Sequence, residues 1–267
     1  MNQHPIQYLM DSPEPSKLFL EARQMAGGQI QEQFRQFNKS PLPTQYNGFK
    51  WIKAELTYPS FDHLTFAFKN SIFSVLIELI DKTGSSLAVI QKDRLTKACT
   101  ENNLIPCLFK IQCVALNNGF DLNTMNEVWN LYDLEGGELV DPFELATEDP
   151  LEMSNWELRN FSIQVVRNHI EEKGHEVLSF CDLPEVNPQI WFRDLEEKIS
   201  WVIVQYSTGK DIPKADSWKD FEQTNEQLLP FDGYFAGVQI SSEKDTLFRG
   251  EGMFVNFKGM KQIYQSK

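Results

Sequence analysis

No CxxC pair, no HxH or HExxH spacing and no long apolar run occurs in this 267-residue chain. The four histidines, His4, His63, His169 and His175, stand apart in sequence, so the usual zinc signatures are missing. No GxSxG elbow, P-loop or GxGxxG is present either, and "GEG" at Gly250 to Gly252 opens no strand-to-helix turn that could cradle a phosphate. The longest apolar stretch, Ile72 to Ile80, is broken by Ser74 and Glu78. It falls far short of the roughly 20 residues of a membrane helix. The opening residues, "MNQHPIQYLMDSPEPSK", show no basic region followed by an apolar one, so no secretory signal is expected. Cys99, Cys107, Cys113 and Cys181 then read as reduced, buried thiols of a cytoplasmic protein.

Basic residues are scarce. The formal charge is −13, from 25 bases and 38 acids. Both halves share the imbalance, with 12 bases and 19 acids up to Pro150 and 13 and 19 beyond it. Such a charge repels nucleic acid at long range unless a local basic patch intervenes, and no Lys/Arg cluster supplies one. Between Lys110 and Arg159 there is no base at all, whereas Asp133, Glu135, Glu138, Asp141, Glu144, Glu148, Asp149 and Glu152 all fall there. This stretch reads as a solvated connector or as an acidic surface for a basic protein partner.

What the chain does contain is apolar periodicity: 41% hydrophobic residues, with 20 Phe and 6 Trp, suffices for real cores. The spacing predicts a helix over residues 16–37, then strands in "GFKWIKAELTY" and "DHLTFAFKN". A strand apolar on both faces follows in "SIFSVLIELIDK", then a helix in "QKDRLTKACTENN" and a strand in "IPCLFKIQCVAL". The second half repeats the order. Its helix "SNWELRNFSIQVVRNHIEEKG" is capped by Ser154 or Asn155 and ended by Gly174. Strands "HEVLSFC", "PQIWFRD" and "KISWVIVQY", a helix "ADSWKDFEQTNEQLL" and a strand "GYFAGVQIS" follow, with a C-terminal hairpin beyond. The expectation is an α/β (α+β) chain of two tandem αβββαβ units. Each is a mixed sheet flanked by helices, with residues 1–120 as the first unit, 121–152 as an acidic connector and 153–267 as the second.

The αβββαβ order, with a hairpin as second and third strands, resembles the PD-(D/E)xK nuclease-like fold over about 90 residues of each half. The resemblance implies an acid at the start of the second strand and an acid-x-lysine on the third, holding magnesium or manganese beside a phosphate. In the second half these places fall near Gln189, on Gln205 and on Ser207, which supply no negative charge for a divalent cation. In the first half, Asp62 and Glu78 stand 16 residues apart, like Gln189 and Gln205, but the lysine place is Ile80.

Two readings follow. One is a non-catalytic interaction protein without cofactor, an inhibitor or immunity-type protein whose eight acids from Asp133 to Glu152 meet a basic partner. The alternative is a nuclease or phosphodiesterase in which Asp62 and Glu78 are the catalytic, Mg- or Mn-binding residues. The absent residues favour the first.

Overall fold

A computed structural model describes residues 16–37, 48–54, 61–87, 91–116, 119–124, 129–135, 137–183, 186–215 and 226–266. The described residues fall into two compact units, one ending at Leu151 and the other starting at Glu152.

The first unit opens with helix α1 (Lys17–Phe37), whose buried Ala22, Ala26, Ile30 and Phe34 recur every fourth residue and form one stripe. Strands β1 (Phe49–Lys53), β2 (Leu64–Phe68) and β3 (Ser71–Ile80) run antiparallel in sequence. Helix α2 (Lys92–Asn102) then carries the chain to β4 (Ile105–Leu116), which lies parallel to β3. A crossover of this length is what a parallel neighbour requires. β5 (Gly119–Thr124) and β6 (Leu131–Tyr132) both pair with β4, giving the order β1-β2-β3-β4-β5 with β6 beside β5. β3 is buried along nearly its whole length, as its unbroken apolar run implies. Its odd-numbered residues Phe73, Val75 and Ile77 join Leu64, Phe66, Cys107 and Phe109 under the α1 stripe.

The second unit repeats this plan. After a four-residue helix α3 (Pro142–Leu145) at the end of the first unit, helix α4 (Asn155–Glu172) begins with a full capping box. The Ser154 hydroxyl accepts from the Glu157 amide, and the Glu157 carboxylate accepts from the Ser154 amide. The same carboxylate receives both Nε and Nη2 of buried Arg249 at 2.8 Å, tying the loop after the last central strand to the helix start. β7 (Glu176–Phe180), β8 (Ile190–Arg193) and β9 (Ile199–Ser207) run antiparallel, and β10 (Asp232–Ser241) lies parallel to β9. β11 (Phe254–Phe257) and β12 (Lys261–Tyr264) both pair with β10. The order β7-β8-β9-β10-β11, with β12 beside β11, matches the first sheet strand for strand. Gly233 on β10 is required by packing, because a Cβ there would lie 2.2 Å from the Trp201 ring. The helix expected in "ADSWKDFEQTNEQLL" falls largely outside the described residues, which resume with a 3-10 turn at Glu226–Leu228.

Two tandem α+β units with mixed sheets are thus present, and the repeat extends to six strands in each. The stretch 121–152, expected as a connector, behaves differently from a free linker. β5 and β6 complete the first sheet, and Trp129, Leu131, Val140 and Phe143 pack into the α1-covered core. These residues occupy the places that β11 and β12 hold in the second sheet, so burial of apolar side chains overrides the surrounding negative charge.

Gly28 lies in the interior of α1, exposed, and a methyl group added there would meet nothing within 4 Å. Gly28→Ala therefore removes unfolded-chain entropy without a clash. It is expected to raise stability by about 0.5–1 kcal/mol, read as a higher denaturant midpoint at unchanged slope.

Candidate functional site

Asp62 sits two residues before β2, and Glu78 lies on β3, the strand paired with it. The hairpin thus brings the two predicted acids to neighbouring strands. Their surroundings decide what they can do. Asp62 is 1% exposed, and its Oδ1 is ion-paired to the Lys53 ammonium, itself 3% exposed. Its Oδ2 accepts the Thr65 hydroxyl. Glu78 is 8% exposed and faces Lys110 across the β3–β4 ladder, where the Lys110 ammonium lies 4.5 Å above the Tyr132 ring.

Lys53 reaches Asp62 because of a β-bulge. Trp51 pairs with Phe66 and Lys53 with Thr65, which leaves Ile52 as the extra residue. Without the extra residue Lys53 would share a face with Trp51, which packs in the α1 core. The bulge turns it instead to the Thr65 side, where its ammonium also lies 4.7 Å from the centre of the Phe61 ring. Ser74 pairs with Thr65 on β3, and Cys99 comes from α2. Burial first, and the Asp62 charge second, push the Cys99 thiol up to about 12. Burial likewise raises Cys107 and Cys113, so these thiols are inert packing groups.

His63, next to Asp62, has a different task. Its Nδ1 accepts the backbone N–H of Ile77 at 2.8 Å, so the proton of the neutral ring is assigned to Nε2. Burial first, then the Lys53 ammonium and the Arg23 guanidinium, push His63 down to about 4.

The second unit shows the same device with another residue. Gln189 Oε1 accepts the N–H of Val204 at 2.7 Å, and the Gln189 N–H donates to Val202, as the His63 N–H does to Val75. The pairings Leu64 with Val75 and Ile190 with Val202 make Gln189 the counterpart of His63. The place of Asp62 accordingly falls on Pro188, one residue before the expected Gln189. Between these matched ladder positions the β8–β9 hairpin is one residue longer than the β2–β3 hairpin, so equal spacing along the sequence gave a register off by one. The amide of Gln189 is fully used, because its Nε2 also donates to the Val186 carbonyl and the Asn187 side chain. Gln205 is exposed on β9, and the Ser207 hydroxyl donates to the Asp211 carbonyl at 2.5 Å.

The same register carries the whole polar cluster across. A bulge recurs at Leu178, between Val177 and Ser179. Ser179 then stands in the place of Lys53, Trp191 in that of Thr65 and Trp201 in that of Ser74. Where the first unit buries an ion pair, the second buries Trp191, Trp201, Phe235 and Leu228 as an apolar cluster.

A divalent cation does not fit the Asp62 position. Both carboxylate oxygens already have partners, the side chain has no solvent access, and Ile80 stands where a water-orienting lysine would be. Among the described residues no group of three His, Cys, Asp or Glu is placed to hold a metal ion. The eight acids of the stretch from Asp133 to Glu152 divide into two kinds. Asp133 accepts from Gly137 within a turn, and Asp141 caps α3 by accepting from Phe143. Glu135, Glu138, Glu144, Glu148, Asp149 and Glu152 are exposed, with Glu148 ion-paired to Lys69 at 3.1 Å. Lys53 and the accepting role of His63 were not foreseen. The signal for Lys53 was faint: one of two lysines on β1, nine residues before Asp62 in the sequence.

The comparisons with known proteins bear on the second unit. A domain of unknown function (DUF8840) matches residues 156–263, a span that starts within α4 and ends within β12. It therefore covers most of the second unit and none of the first. Neither the curated proteins nor the solved structures contain a match to the chain. No helix among the described residues is long and apolar enough to cross a membrane.

An acid sensitivity follows from His63. The unfolded chain takes up its proton near pH 6.5, whereas the folded ring stays neutral until about 4. Between those values the unfolded state binds more protons, so stability falls as the pH drops through this window. His63→Gln, which copies the second unit, is expected to fold normally and to lose this dependence. Relative to the variant, the wild type should lose about 2 kcal/mol between pH 7 and pH 5 in denaturant melts. Parallel pH profiles would contradict the role given to His63.

Proposed function

We propose that this protein is a non-catalytic, cytoplasmic interaction module: two degenerate nuclease-like units that keep the shell of a metal site and use a different surface to bind a basic protein, in the manner of an inhibitor or immunity-type protein. The observation that carries the reading is the closure of Asp62. Its carboxylate, which stands where the resemblance puts a first metal ligand, serves as the counter-ion of buried Lys53. In the second unit the corresponding places hold Pro188, Gln205 and Ser207, none of them anionic.

The partner surface belongs to the exposed acids Glu135, Glu138, Glu144, Glu148, Asp149 and Glu152, in a stretch that contains no base between Lys110 and Arg159. Concentrated charge of one sign steers encounter and sets the salt dependence of association. Asp133 and Asp141, held in a turn and a helix cap, contribute field more than contact.

The test is capture on the tagged chain from native lysate at low and at high salt, followed by kinetics with the partner identified. A stoichiometric basic protein released at high salt is expected. Replacing Glu135, Glu138, Glu144 and Glu148 by Lys should lower its association rate at least tenfold and flatten the salt dependence. Unchanged kinetics would remove the acidic face from the account. Cleavage of DNA or RNA that requires Mg or Mn and vanishes in Glu78→Ala would replace it with the phosphodiesterase reading through Asp62 and Glu78.

A further inference from the structure

Among the described residues, each sheet has one edge strand broken by a bulge and, at the opposite edge, a strand that pairs regularly. At β1 and β7 the ladder is broken by the bulges at Ile52 and Leu178, which twist an edge and discourage pairing with another chain. At the opposite edges β5 and β11 pair with their neighbours without any register shift, although β12, which follows β11 along the same side of β10, is bulged at Ile263. These open edges also present apolar side chains to solvent. Phe254 is 61% and Val255 40% exposed on β11, and Phe120 on β5 is 55% exposed. A regular, exposed, apolar edge is a template for adding a strand.

The two edges differ in charge. β5 carries Asp121 and lies within the base-free stretch between Lys110 and Arg159. From Gly252 onward the chain has no acid, while Lys258 follows β11 and Lys261 opens β12, both exposed. β5 against β5 would oppose like charges, and so would β11 against β11. β5 against β11 opposes Asp121 to the two lysines. The charge of −13 on each copy acts at longer range, and at physiological salt it is screened beyond a Debye length of about 8 Å.

We infer that the β11 edge of one copy pairs with the β5 edge of a second copy, so that the chain associates with itself head to tail. The contact is heterologous: each added copy still offers a free β5 or β11 edge, and growth continues past the dimer unless the rotation closes a ring. A short edge ladder buries little area, so the association is weak and reversible. It does not depend on which protein the acidic face binds.

Sedimentation velocity on the full chain at rising concentration in physiological salt tests this. The weight-average mass is expected to climb above 31.0 kDa and past twice that value without a plateau at the dimer. Lys258→Glu with Lys261→Glu should raise the concentration needed at least tenfold, and adding Asp121→Lys to that pair should restore association. Circular dichroism and melting of each variant establish that it is folded. A mass that stays at 31.0 kDa throughout overturns the inference. So does a dimer that grows no further, or association indifferent to the charge changes, since either marks a different interface.

Discussion

The first unit is organised around one buried ion pair, Lys53 with Asp62. Two charges removed from water are tolerated only when each has its partner and the remaining lone pairs are satisfied. Thr65 supplies the second hydrogen bond to Asp62, and the β1 bulge delivers Lys53 to the right face. The neighbours adjust to that pair. Burial and then its positive member keep His63 neutral and therefore able to accept from Ile77, while burial and then its negative member keep Cys99 a thiol. The carboxylate that resembles a metal ligand is in this way committed to the fold.

The second unit shows how the same backbone manages without the pair. Its bulge, hairpin pairing and side-chain acceptor for an N–H of the central strand are all retained, with Gln189 in the role of His63. The ion pair and its hydroxyl neighbours give way to Trp191 and Trp201, which bury a larger apolar surface, and the Trp201 indole N–H donates to the Leu228 carbonyl. Replacing buried charge with well-packed apolar groups is often neutral or stabilising. Two solutions to one position thus stand side by side in one chain. Neither leaves a carboxylate open to a cation at this position.

The strands were legible because their side chains alternate or run apolar over several residues, as in β3 and β10, and the ends of α4 were legible in Ser154 and Gly174. The placement of residues 121–151 was not. β6 is two residues long, and Trp129 and Asn130 before it both have left-handed backbones, φ +68 and +52. No periodicity survives such a segment, and its charge suggested solvent. The site was half legible. Asp62 and Glu78 were found from type and spacing, but their closure depends on a bulge and a turn length, and both are set by pairing across strands. A single residue of difference in hairpin length moved the counterpart of Asp62 from Gln189 to Pro188.

The most direct measurement is a double-mutant cycle on the ion pair, with Lys53→Met, Asp62→Leu and the double variant compared in denaturant melts. If Asp62 is a structural counter-ion, each single change strands a buried charge and costs about 3–5 kcal/mol, and the double change costs far less than their sum. Additive losses, or an Asp62→Leu variant as stable as the wild type, would show that the carboxylate is held for another purpose.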